Sequence, residues 1–78
     1  MMEAVIIDWD DSCALDGGIW HDKEAVEELK SHKCRSIGWV AKEDKACVVL
    51  VSSTSDHQFS GDICIPKSAI KKRKKLKP

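Results

Sequence analysis

The side chains that could bind a metal ion are four cysteines and three histidines. Structural zinc sites usually take their ligands from close pairs such as Cys-x2–4-Cys, because one turn must aim two thiolates at a single ion. Here the cysteines are separated by 21, 13 and 17 positions: Cys13, Cys34, Cys47 and Cys64. We therefore predict no metal site and no cofactor, and we expect reduced thiols that pack as small apolar side chains.

Acid–base catalysis would have to use the stretch Asp8-Trp9-Asp10-Asp11, together with His21 and Asp22. Carboxylates beside a large apolar ring can have shifted pKa values. The chain offers them no recognisable nucleophile or oxyanion motif, and the stretch DGGIWHD lacks the lysine of a phosphate-binding loop. The prediction is a protein without catalytic residues and without a small-molecule substrate.

The length of 78 residues bounds the architecture, since such a chain forms one small domain with a thin stability margin. No apolar run approaches the roughly 18 to 20 residues that span a bilayer, and the N-terminus lacks the pattern of a secretion signal. We expect a cytoplasmic protein with no membrane partner.

Apolar periodicity predicts mostly strands. Val5, Ile7 and Trp9 alternate with Ala4 and Ile6, which is typical of a strand with two distinct faces. Asp22 can begin a helix of roughly ten residues, too short to be stable unless it packs on another element. The predicted strands cover residues 3–9, 34–41, 46–52 and 62–65, with a polar loop at 52–61 and a helical turn at 66–70.

This order of elements predicts a mainly β fold with one short helix, and specifically a small SH3-like β-barrel. The alternative is an α+β fold in which the helix packs on a curved antiparallel sheet. In either case residues 1–70 form a single small barrel-like domain, and residues 71–78 form a basic closing strand or a C-terminal tail.

A family resemblance rests on the motifs W-x-D-S, GGIW, C-x-S-I-G-W-V, VVLV and G-D-I-x-I-P-K-x-A-I, between Trp9 and Leu76. In these motifs the chain resembles small uncharacterised proteins encoded by bacteriophages and prophages, a family with no assigned activity. The resemblance implies a bacterial host cytoplasm. It also implies an apolar anchor near position 73, where this chain has Arg73 and hence a less firmly held closing segment.

Charge is unevenly distributed, although the formal net charge is zero. Residues 1–30 hold nine acids and two bases, whereas residues 63–78 hold seven bases and no acid. The basic run can bind nucleic acid, or it can pair antiparallel with the acidic first strand. The nucleic-acid alternative would use five consecutive bases: Lys71, Lys72, Arg73, Lys74 and Lys75.

The tryptophans point to a protein partner, because tryptophan is enriched at the energetic centres of protein interfaces. Trp9 and Trp20 flank the acidic turn, and with Asp10 and Asp11 they are the predicted protein-binding residues; the alternative is that the two rings simply cap the barrel. Trp39 is expected to be buried or half-buried. The leading hypothesis is thus a non-catalytic module that binds a host or phage protein, and the alternative is a nucleic-acid-binding module.

Overall fold

A computed structural model describes residues 2–12 and 20–77, and within them the protein is mainly β with a short helix. A 3-10 turn, Lys67–Ala69, precedes the last strand. The remaining elements, in chain order, are β1 (Ala4–Asp11), α1 (Lys23–Glu27), β2 (His32–Glu43), β3 (Cys47–Val51), β4 (Ser53–Thr54), β5 (Phe59–Ser60), β6 (Ile63–Pro66) and β7 (Ile70–Lys75).

Five strands form one antiparallel sheet in the order β6-β3-β2-β1-β7, and β4 and β5 form a separate small hairpin. Across the described residues no ladder joins β6 to β7, so the sheet is not closed into a barrel. The coarse prediction of a mainly β fold with one short helix is therefore confirmed.

The long strand β2 changes its pairing partner part-way along its length. Residues 32–39 pair with β1, whereas Trp39 and the residues after it pair with β3. A register shift between Val40 and Lys42 marks a bulge, which bends the strand. The bend brings together residues from both halves of the sheet to form the core: Val5, Ile7, Val48, Leu50 and Ile65, each at most 1% exposed.

Gly38 lies where β2 changes partner. A Cβ atom at this position would approach the backbone oxygen of Val51 to 2.8 Å and the Cβ of Leu50 to 3.3 Å. Because neither neighbour is the free end of a flexible side chain, the bend depends on the missing side chain of glycine.

The hairpin of β2 and β3 confirms the two adjacent strands predicted around the sequence KEDK. Its turn is held by Asp44, whose Oδ1 accepts the backbone N–H groups of Ala46 and Cys47 at 2.8 and 2.9 Å. These backbone donors hold the pKa of the Asp44 carboxyl below its usual value. Asp44 thus stabilises the turn by accepting hydrogen bonds from the backbone of the residues that follow it.

Two local predictions differ from the structure. The helix is only five residues long, Asp22 makes no side-chain capping bond, and no residue of α1 is buried. The expected loop at 52–61 contains the β4–β5 hairpin, which pairs Ser53 with Ser60. The acidic turn predicted after Asp11, including Cys13, lies mostly outside the described residues.

The basic segment forms β7 and pairs antiparallel with β1, which is one of the two alternatives stated for it above. Lys72 lies opposite Asp8, Arg73 opposite Ile7 and Lys74 opposite Ile6. Lys72 pairs with Asp8 and Ile70 pairs with Trp9, so the register shifts between them and Lys71 has no directly opposite residue in β1. Backbone pairing therefore holds residues 70–75 in the sheet, with β7 as one of its two edges.

Candidate functional site

The strand register assigns residues to two faces of the β7–β1–β2 part of the sheet. Directly paired residues share a face, and alternate residues along a strand point to opposite faces. The core face carries Val5 and Ile7. The other side, here called the outer face, carries the cross-strand pairs Ala4–Trp39 and Ile6–Ile37, and Lys74 extends the second pair into β7.

Apolar side chains on the outer face are exposed although they belong to the middle strand of the sheet. Ile37 is 63% exposed and Trp39 is 41% exposed. The expectation that Trp39 would be buried or half-buried is therefore only partly met. Beside its ring is a groove of about 480 Å³, lined by Met2, Glu3, Ala4, Trp39, Lys75, Leu76 and Lys77.

The next part of the outer face is charged. Asp8 lies between Arg35 and Lys72 in the sheet, and its carboxylate accepts two hydrogen bonds from the Arg35 guanidinium, at 2.6 and 3.2 Å. The bonds from Arg35 hold the pKa of Asp8 below its usual value. Ile6 and Lys74 join these three residues around a shallow hollow of about 210 Å³, so the apolar and charged parts are continuous.

Arg73 occupies the position where an apolar anchor was expected, and its side chain makes ion pairs within the molecule. Its guanidinium donates to both carboxylate oxygens of Glu43, at 2.9 and 3.0 Å, and lies 3.7 Å from a carboxylate oxygen of Glu3. Lys67 Nζ approaches Glu43 to 3.0 Å. The bonds from Arg73, followed by those from Lys67, lower the pKa of Glu43 to about 2. We call Glu43, Arg73 and Lys67 the charged clasp; it joins β7 to the end of β2.

Some residues of the basic run thus form ion pairs within the molecule, and others do not. Besides Arg73, Lys71 is paired, since its Nζ lies 3.7 Å from an Asp10 carboxylate oxygen. Lys72 makes no ion pair with another described residue, but it lies beside Asp8 and, after Arg35, helps to lower the pKa of that carboxyl. Three further lysines make no ion pair with any other described residue: Lys74, Lys75 and Lys77. Their charges are available to a partner.

The four residues predicted to bind protein do not form one patch. Trp9 is half-buried against the core, and its Nε1 donates to Ser36 Oγ at 3.0 Å. Asp10 and Trp9 line a groove of about 590 Å³ with Lys71. Asp11 is exposed and accepts the backbone N–H of Ser12. Trp20 is 100% exposed, so its ring packs against neither Trp9 nor the acids.

The outer-face residues were missed because the sequence does not reveal which side of the sheet is covered. The alternation in Ser36-Ile37-Gly38-Trp39 places Ile37 and Trp39 on one side, and glycine on the other. Gly38 is the feature of the sequence that could have identified the covered side, since a glycine in a strand often marks the side on which another part of the chain approaches closely.

The three described thiols differ in exposure. Cys34 and Cys47 are half-buried, and Cys64 is exposed. The neighbouring Cys64 thiol, followed by desolvation, raises the pKa of the Cys47 thiol. No group of three or more potential ligands that could hold a metal ion occurs within residues 2–12 and 20–77.

No helix in the described part of the chain is long and apolar enough to cross a bilayer. No known protein family matches the chain, and neither does any curated protein or solved structure.

Proposed function

We propose that this chain is a small non-catalytic binding module that recognises a protein partner through the outer face of its sheet. The observation that carries the proposal is the exposure of Ile37 and Trp39 on the middle strand. Side chains there are normally covered, and a large rigid ring beside a groove is typical of an interface centre.

The proposal moves the predicted binding site from the Trp9–Trp20 region to the outer face. Trp9 is held by the core and by Ser36, and Asp10 is paired with Lys71. A partner that bound Trp9 or Asp10 would have to compete with these contacts within the molecule. Trp39 has no such hydrogen bond among the described residues, and its ring borders an open groove.

The architecture and origin belong to the same proposal. The strand order β6-β3-β2-β1-β7, with a 3-10 turn before the last strand, supports a partly open SH3-like barrel. The resemblance to phage-encoded proteins supports a role in the cytoplasm of a bacterial host, with a host or phage protein as the partner.

Affinity capture from bacterial lysate treated with nuclease tests the site. We expect wild-type protein to retain a partner that Trp39→Ala loses and that Ile37→Ser binds more weakly. Trp20→Ala and Phe59→Ala are matched controls, since both remove exposed rings outside the outer face. Loss of the partner with Trp20→Ala but not with Trp39→Ala would contradict the proposed site, provided that all variants melt like wild type.

Nucleic-acid binding is the second candidate, and the unpaired lysines Lys74, Lys75 and Lys77 favour it. Neutralisation of three phosphates predicts a slope of about −2 when the logarithm of affinity for single strands is plotted against that of salt concentration. Fluorescence anisotropy with a labelled oligonucleotide measures this slope. Binding that is abolished by replacing the three lysines with glutamine, but retained by Trp39→Ala, would favour this candidate.

A further inference from the structure

The groove beside Trp39 combines an apolar wall with a positively charged rim. Trp39, Leu76, Ala4 and Met2 supply the apolar surface, and the pocket volume of about 480 Å³ lies within the usual range for ligand sites. Leu76 is held in place because its backbone N–H donates to the carbonyl of Ala4 at 2.8 Å. The wall of the groove is therefore built on paired backbone.

The charged side chains around this groove leave an excess of positive charge. Lys75 and Lys77 line it without an ion pair to any described residue. Glu3, the acid in its lining, lies 3.7 Å from the Arg73 guanidinium, which offsets its charge. Lys74 adds a third lysine on the outer face, opposite Ile6, whereas Lys75 pairs with Val5 and lines the groove from the edge strand.

We propose that this groove anchors a large apolar side chain from an acidic peptide segment of the partner, whose carboxylates bind Lys74, Lys75 and Lys77. The inference rests on the proposed function, and it names the partner's chemistry. Apolar anchoring supplies the affinity, while the lysines select acidic sequences and accelerate association.

Two other occupants fit the groove less well. A single strand of nucleic acid usually stacks several bases on aromatic rings, but Trp39 is the only ring in this lining. A second copy of the chain, related by a two-fold axis through this face, would bring its lysines towards the same lysines. An acidic peptide needs only one ring for its anchor, and its carboxylates attract the lysines.

Selection from a random twelve-residue peptide library displayed on phage tests the inference, with the intact protein as bait. We expect enriched peptides to combine a large apolar residue with flanking Asp or Glu. Enrichment of neutral or basic peptides, or of none, would overturn the inference. Its failure leaves the proposed function standing if Trp39→Ala still abolishes partner capture.

Affinity measurements on an enriched peptide test the roles of the ring and the lysines separately. Trp39→Ala should weaken binding about tenfold or more, as expected for the loss of an interface anchor. The triple variant Lys74→Gln, Lys75→Gln, Lys77→Gln should weaken binding at low salt and flatten its salt dependence. Lys30→Gln with Lys45→Gln is the charge control, since both lysines are exposed outside the groove.

Three results would overturn the inference: wild-type affinity in the triple variant, equal losses in the charge control, or dimerisation that depends on Trp39. Tight binding of an oligonucleotide that displaces the peptide would also overturn it. Oligonucleotide binding with no capture of a protein partner would instead remove the proposed function itself.

Discussion

Arg73 is the residue whose role differs most from its sequence-based expectation. It lies opposite the buried Ile7, in a position suited to an apolar anchor, yet its guanidinium reaches Glu43 at the end of β2. A bidentate pair between two fixed strands loses less freedom than an ordinary surface ion pair. Arg73 thus fixes the closing strand by charge instead of by apolar packing.

Replacement of Arg73 by methionine should lower the melting temperature by roughly 2 to 5 °C, since the clasp would lose its bidentate member. Circular dichroism during thermal unfolding measures the change. Lys74→Met is the matched control on the same strand and should leave the melting temperature nearly unchanged. An equal drop in both variants would show that β7 tolerates no loss of charge, irrespective of the clasp.

The clasp also predicts how stability depends on pH. The pKa of Glu43 is lowered from 4.5 to about 2 in the folded protein, so its stabilising contribution is fully present above about pH 4.5. As the pH falls from there towards 2, the unfolded chain takes up a proton before the folded one, and the contribution is lost.

Thermal unfolding of wild type and Glu43→Gln between pH 2 and pH 7 measures this effect. Wild type should be the more stable at pH 5 to 7, and the difference should shrink towards zero near pH 2, where Glu43 becomes protonated in the folded state too. A difference that stays constant over the whole range would show that the carboxylate charge of Glu43 is not responsible.

At the scale of elements, the bend of β2 holds the two halves of the sheet over one core. The strand pairs with β1 through residues 32–39 and with β3 from Trp39 onward, and the Val40–Lys42 bulge lies just after the change. Gly38 makes the close approach between the halves feasible, because Val51 and Leu50 fill the space of a side chain.

Replacement of Gly38 by alanine should destabilise the fold by about 1 to 3 kcal/mol, the usual cost of overpacking a tight site. Denaturant unfolding, with the free energy extrapolated to water, gives the value. Lys33→Ala, an exposed position on the same strand, should change stability little. Unchanged stability in Gly38→Ala would mean that the halves of the sheet separate easily, contrary to this account.

Elements with strong patterns could be predicted from the sequence, and weak ones could not. The Val-rich hairpin, β1 and the strand before Pro66 each combine β-branched residues with clear turn signals. The β4–β5 hairpin has two residues in each strand, too few for any periodicity to appear. The helix was overestimated because capping residues and a three-residue apolar stripe suggest a start but fix no length.

At the scale of the whole molecule, the described chain measures 50 × 25 × 22 Å, so it is elongated. The opposite charges of its two ends meet only in part. β7 brings Lys71 to Asp10 and Lys72 next to Asp8, while Arg73 turns to Glu43 and the last lysines remain unpaired with any described residue. The basic run therefore both stabilises the fold and leaves charge for binding.

The candidate site shows what sequence patterns alone leave undetermined. The pairing of the first and last strands was one of the two alternatives that the sequence left open for the basic run, and the structure shows it. The exposure of Ile37 and Trp39 depends on which side of β2 the second half of the sheet covers, and that depends on a bend that no local pattern specifies. The sequence-based prediction therefore favoured Trp9 and Trp20, near the acidic turn, over Trp39 on the outer face.

The three tryptophans provide one direct test of the central claim, that the outer face binds the partner. Their indole N–H signals can be followed by NMR while the captured partner is added to isotopically labelled protein. We expect the Trp39 signal to shift or broaden. The signals of Trp9, whose Nε1 is hydrogen-bonded to Ser36, and of the exposed Trp20 should change little. A response of Trp9 or Trp20 with an unchanged Trp39 would contradict this account.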